Sequence, residues 1–251
     1  PFAIIKVFFL TLKSLFLLKR EKIEILISTG GYMSLPLCLA AKVGNIKIFL
    51  LEPNMIIGRA NRFFLNFCEK IICYDSNIIG FPEKFQNKLK ISHPLIRKKY
   101  FDMNYKANVD RIFTIIIIGG SQGAKIFDEI VHESILKISK TKPLKIIHQT
   151  NKKNLHFLKK FYTDNKIENI IFDFDENLNV LLEQADLCIT RAGASSLAEI
   201  SLLNIPFIAI PLPTAKDNHQ LKNANYYKDK NCCWVIDQIT FDRVKFETFL
   251  L

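Results

Sequence analysis

Short apolar runs alternate along this chain with longer segments in which apolar residues recur at helical spacing. The runs IEILIST (residues 23–29), IKIFLLEP (46–53) and KIICYD (70–75) predict the strands of one series. A continuous run, RIFTIIIIGG (111–120), predicts a strand that is buried on both faces. Because strands that alternate with helices pair in parallel, such a series predicts an α/β domain.

A second series of strands and helices fills the rest of the chain. Its strands are expected at residues 111–120, 143–150, 169–174, 186–190, 205–212 and 232–237, and its helices at 121–139, 152–164, 176–185, 194–204 and 219–230. The segment from about 76 to 110 is basic and poorly periodic, so we interpret it as an interdomain connection. The sequence therefore predicts the α/β class, with two Rossmann-like domains in residues 1–100 and 101–251.

The first 22 residues, PFAIIKVFFLTLKSLFLLKREK, predict a helix that is apolar on most faces and basic at its end. Lys6 and Lys13 interrupt the apolar run, which is too short and too interrupted to indicate a transmembrane span. No small-residue cleavage site of a signal peptide follows it. The helix either lies in a membrane interface or is buried in its domain, and both can hold if its faces differ.

Charge divides the chain into two unlike halves. Residues 1–110 carry 17 Lys and Arg against 8 Asp and Glu, a net charge of +9, whereas residues 111–251 carry 18 against 16, a net charge of +2. The basic half suits an anionic partner, either a nucleic acid or an anionic membrane surface. Hydrophobic residues make up 49% of the chain, which supports a sizeable core and argues against disorder.

The six cysteines form no CxxC pair, and several lie in apolar runs. We interpret them as reduced core thiols of a cytosolic protein, with neither a disulfide framework nor a zinc site. The chain begins with Pro1 and ends in the run VKFETFLL, so we expect it to be a piece of a longer protein.

Four loops follow predicted strands, at the edge where open parallel sheets bind ligands. They are STGGYMSLP (28–36), GGSQGAK (119–125), TRAGASSLAE (190–199) and PLPTAKDNHQ (211–220). Their glycines let an anion approach the backbone, and the helix N-termini behind them supply N–H donors. Tight packing is the alternative explanation for a glycine pair. The loop GGSQGA has neither the GxGxxG spacing of dinucleotide sites nor that of a P-loop.

Polar side chains in and after these loops are candidates for ligand contacts. Glu199 can accept both hydroxyls of a ribose, or it can be a glutamate that only interacts with the helix dipole. Gln220 lies where a sugar would be hydrogen-bonded, and His219 is either a base or, as we favour, a neighbour of the helix cap. Asp173 and Asp175 form a DxD; we prefer a strand-end acidic turn to a metal site.

Several of these segments together resemble the MurG family of bacterial glycosyltransferases. STGGYMSLP, LLEPN, GGSQGA, HQT, TRAGASSLAEI, IPLP and DNHQLKNA occur in the family's order over nearly the whole chain, with little support in residues 76–110 and in the final dozen. The resemblance implies a GT-B fold, in which two Rossmann-like domains face a cleft. It also implies transfer of N-acetylglucosamine from UDP-N-acetylglucosamine to lipid I, which gives lipid II for peptidoglycan synthesis.

The resemblance also implies roles for individual residues. The incomplete N-terminal domain would hold the acceptor and contact the cytoplasmic face of the inner membrane through its basic, apolar helix. Glu199 would take the ribose hydroxyls, Gln220 the sugar, and the backbone at Asp175 the uracil. No metal and no cofactor is expected. Further donor contacts would come from Asn54, Ser121, Ala194, Ser195, Ser196, Leu197 and Ala198, and the acceptor-side loop from Gly30, Gly31, Tyr32 and Ser34.

The sequence departs from the family pattern in three places. One is that the family's C-terminal helices, which pack back on the first domain, have no match in this chain. The family's proposed general base is a histidine in a glycine-rich loop that nothing in this chain matches, so no catalytic residue is assigned. The family's donor-contacting arginine lies in a GNPxR-like run; here SHPLIRKK has Ile96 at that spacing and Arg97 one residue later, where it can substitute. If this is the whole polypeptide, we expect weak or no transferase activity.

Other functions remain open at this point. A truncated remnant could bind a UDP-sugar or a membrane without turnover. A glycolipid synthase would differ in its acceptor, while the order of the loops argues against a UDP-sugar epimerase. The missing GxGxxG argues against a nicotinamide oxidoreductase. Nucleic-acid binding is disfavoured because no nucleic-acid motif accompanies the positive charge, which lies in the half with the membrane-like helix.

Overall fold

The structure, a computed structural model, describes residues 2–102, 112–120 and 125–251. The chain divides into two compact units, residues 1–94 and residues 95–251. Each unit contains its own parallel sheet and its own helices.

The first unit is built on a four-stranded parallel sheet with the strands in chain order. The strands are β1 (Ile25–Ser28), β2 (Lys47–Glu52), β3 (Lys70–Cys73) and β4 (Leu89–Ile91). The helices are α1 (Phe2–Arg20), α2 (Leu35–Val43) and α3 (Arg59–Phe64), with 3₁₀ turns at Tyr32–Ser34 and Glu83–Lys88. The central strand β2 packs against α2 and α3, and its Ile48, Leu50 and Leu51 are buried.

The prediction that residues 76–110 form an interdomain connection is wrong for part of that segment. Residues 89–91 form β4, which pairs in parallel with β3. Just before β4, Lys88 Nζ donates to three backbone carbonyls at and after the end of α3, at 2.9, 3.3 and 2.7 Å. These contacts are distant in sequence, and a three-residue strand is too short to show a period of two.

Helix α1 is confirmed, and only one of its faces is covered. It packs against α2, and Leu18 is its buried residue among those described. Burial therefore accounts for one face only, and a broad apolar surface remains open to solvent. Its exposed large hydrophobic residues are Ile4, Ile5, Phe8, Phe9, Leu10, Leu12, Phe16 and Leu17. No helix in the described part of the chain is long and apolar enough to cross a membrane.

The second unit is built on a six-stranded parallel sheet in the order β10-β9-β8-β5-β6-β7. Its strands are β5 (Phe113–Ile118), β6 (Leu144–Gln149), β7 (Glu168–Phe172), β8 (Leu187–Thr190), β9 (Phe207–Ala209) and β10 (Cys233–Val235). Its helices are α4 (His132–Ser139, preceded by a π-helical turn at Phe127–Val131), α5 (Leu155–Asp164), α6 (Leu178–Leu182), α7 (Ala194–Leu202), α8 (His219–Asp229) and α9 (Arg243–Leu250). The six predicted strands are confirmed.

The core of this unit lies on both faces of the sheet, as the apolar run at β5 predicts. Ile116 and Ile118 belong to one buried cluster, whereas Ile115 and Ile117 belong to the other. Alternate residues of a strand point to opposite faces, so β5 anchors both layers. Its neighbours β8 and β6 pair with it on either side, which places the carboxyl ends of β5 and β8 at one edge.

All six cysteines are free thiols, and five of them are buried. Cys38, Cys68 and Cys73 lie in the first unit, whereas Cys188 and Cys233 lie in the second. Cys232 is partly exposed. Within the described ranges, no three His, Cys, Asp or Glu side chains are grouped as metal ligands.

Candidate functional site

The carboxyl ends of β5, β8 and β9 lie together at one edge of the second sheet. The register pairs Ile118 with Thr190 and Thr190 with Ala209, so the three strands end at the same level. This adjacency follows from parallel pairing, and the predicted loops 190–199 and 211–220 are therefore neighbours. Ser121, which the resemblance assigns to the donor, lies outside the described residues.

Helix α7 presents an uncapped N-terminus at this edge. Gly193 is its N-cap in an extended conformation, and no side chain in the described part of the chain caps the helix. The first N–H bonded within the helix is that of Leu197, which donates to Gly193 O at 3.0 Å. No described residue accepts a hydrogen bond from the N–H of Ala194, Ser195 or Ser196. Such an end carries partial positive charge and suits an anion.

The side chains of α7 divide between the core and the open face. Leu197 and Ala198 are buried, so any contact they make with a ligand comes from their backbone. Ser195 lies four residues before Glu199 and Ser196 lies three residues before it. Residues at either spacing are neighbours on one face of a helix. One face of α7 therefore combines free N–H groups, two hydroxyls and a carboxylate.

Glu199 is buried and is held by an arginine. The Nε of Arg97 donates to Oε1 at 2.8 Å and its Nη2 donates to Oε2 at 2.9 Å, a bidentate pair. The same Nη2 donates to the hydroxyl of the buried Tyr100 at 2.9 Å. The hydrogen bonds to Glu199 raise the pKa of Arg97, and burial is the main cause that raises the pKa of Tyr100.

The position of Arg97 depends on burial of its neighbour in sequence. Ile96, which occupies the family's arginine spacing, packs against the core cluster that contains Tyr100. The chain then turns through the 3₁₀ helix Lys98–Tyr100, so Arg97 faces Glu199. The offset of one residue in the sequence therefore does not remove an arginine from this site.

The side-chain carbonyl oxygen of Gln220 accepts hydrogen bonds from the protein backbone. Its Oε1 accepts from Ala192 N at 3.3 Å and from Leu212 N at 2.9 Å, so it joins the loops after β8 and β9. Because two backbone donors fix the amide orientation, Nε2 is the atom left to contact a sugar. No described residue accepts a hydrogen bond from that nitrogen.

Sequence reasoning missed two residues here: Arg191, which joins the segments after β8 and β9, and Asn223 of α8, which holds the loop after β8. Arg191 Nη1 donates to Ile210 O at 3.0 Å and to Pro211 O at 3.3 Å. Asn223 Nδ2 donates to Ala192 O at 3.2 Å. A basic residue directly after a buried strand and shortly before a glycine was the sequence signal that could have identified Arg191. Burial lowers the pKa of its guanidinium.

The DxD adopts a turn after β7. Asp175 Oδ1 accepts from Asn177 N at 2.7 Å, and the carbonyl of Asp173 accepts from Gln149 Nε2 at 3.2 Å. Both contacts fit the preferred interpretation of a strand-end acidic turn. β7 lies three strands from β8. A spacing of about 4.8 Å between strands separates this turn from α7 by roughly 14 Å along the sheet.

The two histidines near strand ends have structural surroundings. The half-buried His219 has Nδ1 at 2.9 Å from Lys216 O, which supports the loop before α8. His148 is buried, with Nδ1 at 3.1 Å from Tyr162 Oη and Nε2 at 3.4 Å from Asp128 Oδ1. Burial lowers the pKa of His148, so its ring is neutral near pH 7.

In the first unit, the loop 28–36 needs both of its glycines. Gly30 and Gly31 have φ of 79° and 82°, a region that other residues rarely adopt. A side chain on Gly30 would also meet Asn61 at 3.0 Å. Ser34 Oγ donates to Gly31 O at 2.8 Å, which leaves the ring of Tyr32 exposed at the tip of the loop.

Asn54 belongs to a buried hydrogen-bond network centred on Glu52. Sequence reasoning missed both Glu52 and Asn61, which is a second member of the network. Glu52 Oε1 accepts from the backbone N and the Nδ2 of Asn54 at 3.2 and 3.0 Å. Its Oε2 accepts from Gly58 N at 2.7 Å and from Asn61 Nδ2 at 2.9 Å. An acidic residue at the end of an apolar strand was the available signal. The network fixes the loop that carries Asn54.

Comparison with known families identifies both units. The profile of the glycosyltransferase family 28 C-terminal domain matches residues 114–248, and that of the family 28 N-terminal domain matches residues 1–73. The chain belongs to glycosyltransferase family 28. The predicted resemblance and the GT-B class are thereby confirmed.

Individual relatives agree with this assignment. The chain is 49% identical, over 96% of its length and 68% of the relative's, to the UDP-N-acetylglucosamine--N-acetylmuramyl-(pentapeptide) pyrophosphoryl-undecaprenol N-acetylglucosamine transferase of Pelagibacter ubique. It is 35% identical to the enzyme of the same name from Rickettsia canadensis, over 90% of the chain and 66% of the relative. It therefore spans about two thirds of the length of these curated relatives.

Solved structures support the fold. The crystal structure of Acinetobacter baumannii MurG matches 99% of this chain and 70% of its own with a TM-score of 0.78 at 24% identity. A UDP-GlcNAc 2-epimerase from Neisseria meningitidis matches 89% of this chain and 72% of its own with a TM-score of 0.57 at 11% identity. At such identities the likeness shows the fold alone, and the fold is shared by transferases and epimerases.

Proposed function

We propose that this family 28 glycosyltransferase transfers N-acetylglucosamine from UDP-N-acetylglucosamine to the C4 hydroxyl of the muramyl sugar of lipid I. The observation that carries the proposal is the shared face of α7. That face combines three N–H groups from which no described residue accepts a hydrogen bond with the carboxylate of Glu199, three to five residues further along. A rise of about 1.5 Å per residue separates them by roughly 4.5–7.5 Å along the helix axis, so one nucleoside diphosphate can contact both.

The chemistry of the donor assigns each group a task. The diphosphate is anionic and binds at the N-terminus of α7, where the N–H groups also stabilise the charge that develops on UDP as it leaves. Glu199 accepts the two ribose hydroxyls, and Gln220 donates through Nε2 to the sugar. The reaction inverts the anomeric carbon and uses no metal, because the helix N-terminus offsets the charge of the leaving group.

The first unit takes the acceptor side. The loop with Tyr32 and the loop with Asn54 lie after β1 and β2, and the latter is fixed by Glu52. Helix α1 offers exposed apolar residues together with the exposed basic residues Lys13 and Lys19. Such a helix binds an anionic interface without crossing it, which suits an acceptor carried by a lipid in the cytoplasmic leaflet of the inner membrane.

Calorimetric titration with UDP-N-acetylglucosamine tests the donor site. We expect the unaltered chain to bind and Glu199→Ala to bind at least about tenfold more weakly, because hydrogen bonds to a charged group are lost. Glu83→Ala is the matched control, since Glu83 is exposed and lies in the first unit. Failure of the folded, unaltered chain to bind would refute the proposal.

Turnover with lipid I as acceptor tests the transferase itself. Binding of the donor without turnover would instead support a UDP-sugar binder that lacks activity. A product other than lipid II would redirect the proposal to another acceptor.

A further inference from the structure

The segment 211–213, which follows β9, has almost no backbone donors of its own. Of its residues Pro211, Leu212 and Pro213, only Leu212 carries an N–H, because proline has none. That N–H donates to Gln220 Oε1 at 2.9 Å. The segment is therefore held mainly through carbonyl oxygens, and these need side-chain donors from elsewhere in the fold.

Arg191 supplies these donors. Its Nη1 donates to Ile210 O at 3.0 Å and to Pro211 O at 3.3 Å, and no other described residue donates to either oxygen. The guanidinium carbon lies 5.3 Å from the centre of the ring of Phe127, which is fully buried. A guanidinium is planar and presents its N–H groups in fixed directions. A guanidinium that rests on a buried ring therefore also fixes the carbonyls that it binds.

The contacts of Arg191 and Gln220 meet on one peptide group. The carbonyl oxygen of Pro211 and the N–H of Leu212 belong to the same peptide group, which is trans and planar. Its C=O and N–H therefore point in opposite directions, and fixing the oxygen also fixes the direction of the N–H. That N–H and Ala192 N are the two donors that turn the oxygen of the Gln220 amide toward the protein. Arg191 thereby helps to decide which end of the amide faces a ligand.

We propose that Arg191 is a positioning residue that holds the peptide group before Leu212, so that Gln220 presents its Nε2 to the sugar of the donor. The inference rests on the proposed donor site and extends it from the residue that contacts the sugar to the residue that orients this contact. Because Arg191 acts through Gln220, loss of its side chain weakens recognition of the sugar and not recognition of the nucleotide.

Calorimetry with UDP-N-acetylglucosamine and with UDP, which lacks the sugar, tests the proposal. For Arg191→Met we expect the affinity for UDP-N-acetylglucosamine to fall about fivefold or more, while the affinity for UDP changes less than about twofold, since only the sugar loses an oriented donor. Gln220→Ala should show the same pattern, and Arg191→Met should add little to it, because both residues act through one peptide group. Lys228→Met, at an exposed position of α8, is the matched control and should bind both ligands as the unaltered chain does.

Hydrogen exchange of the Leu212 amide, measured by NMR on the chain without ligand, tests the structural step directly. This N–H is bonded to Gln220 Oε1, and we expect it to exchange about tenfold faster in Arg191→Met, because the peptide group is then free to rotate. If Arg191→Met does not fold, Arg191→Lys serves for both measurements. It keeps the charge but replaces the planar guanidinium with a flexible ammonium, so we expect smaller changes in the same direction.

The outcomes separate this inference from the proposed function. If the unaltered chain binds neither ligand, the proposed function fails and the inference fails with it. If the unaltered chain binds both and Arg191→Met weakens both by the same factor, the donor site stands and the positioning role is overturned. Additive losses in the double variant would overturn the route through Gln220, and so would an unchanged exchange rate at Leu212.

Discussion

Replacing Glu52 by glutamine should destabilise the first unit more than a single isosteric change usually does. The carboxylate accepts four hydrogen bonds, two on each oxygen, from Asn54, Gly58 and Asn61, and it is 2% exposed. Glutamine replaces one oxygen with an NH₂ group, so in either orientation two donors lose their acceptor. Hydrogen bonds to charged groups contribute about 1.5–3 kcal/mol each, so loss of two lowers the expected free energy of unfolding by roughly 3–6 kcal/mol.

The chain supplies an internal reference for this measurement. Its one tryptophan, Trp234, lies in β10 of the second unit, so tryptophan fluorescence reports on that unit. Urea unfolding of Glu52→Gln should move the transition seen by far-UV circular dichroism and leave the fluorescence transition in place. Glu83→Gln, at an exposed position of the same unit, is the matched control. An unchanged dichroism transition, or an equal shift in both signals, would refute the reasoning.

Two further expectations concern the membrane and acid. Phe8→Ser and Phe16→Ser should each weaken binding to anionic vesicles about tenfold in a co-sedimentation assay, because each exposed ring contributes roughly 1.5–3 kcal/mol on burial, while Phe157→Ser on the second unit should have no effect. Burial lowers the pKa of both His132 and His148 in the folded chain. Below about pH 6.5 these histidines therefore bind protons in the unfolded chain but stay neutral in the folded one. The melting temperature should therefore fall as the pH is lowered from about 7 to 5, and less steeply in His132→Phe; an equal slope in that variant would contradict this.

The strands of the second unit could be predicted because burial on both faces leaves a plain apolar signal. The run at β5 has four consecutive isoleucines, and the structure distributes them alternately between two core layers. β4 could not be predicted in this way. It is three residues long, and it depends on pairing with β3 and on Lys88, which contacts carbonyls 20 to 23 residues away in sequence.

In the candidate site, too, local features could be predicted and contacts between distant residues could not. Glu199 could be singled out from its place behind a glycine loop, since helix spacing is local information. The partnership between Arg97 and Glu199 spans 102 positions and depends on the burial of Ile96, which no local pattern reveals. The Glu52 network was equally hidden, because Asn61 lies on a separate element from the strand that ends in Glu52.

The buried thiols allow the two units to be observed separately. A thiol reacts with an alkylating reagent only when it is both exposed and ionised. Burial raises the pKa of Cys73 in the first unit and of Cys233 in the second to about 12, so neither reacts until the structure around it opens. Modification of these thiols therefore reports the opening of each unit separately. The modification rates of the three buried thiols of the first unit and of the two of the second measure how often each unit opens, without any label being introduced.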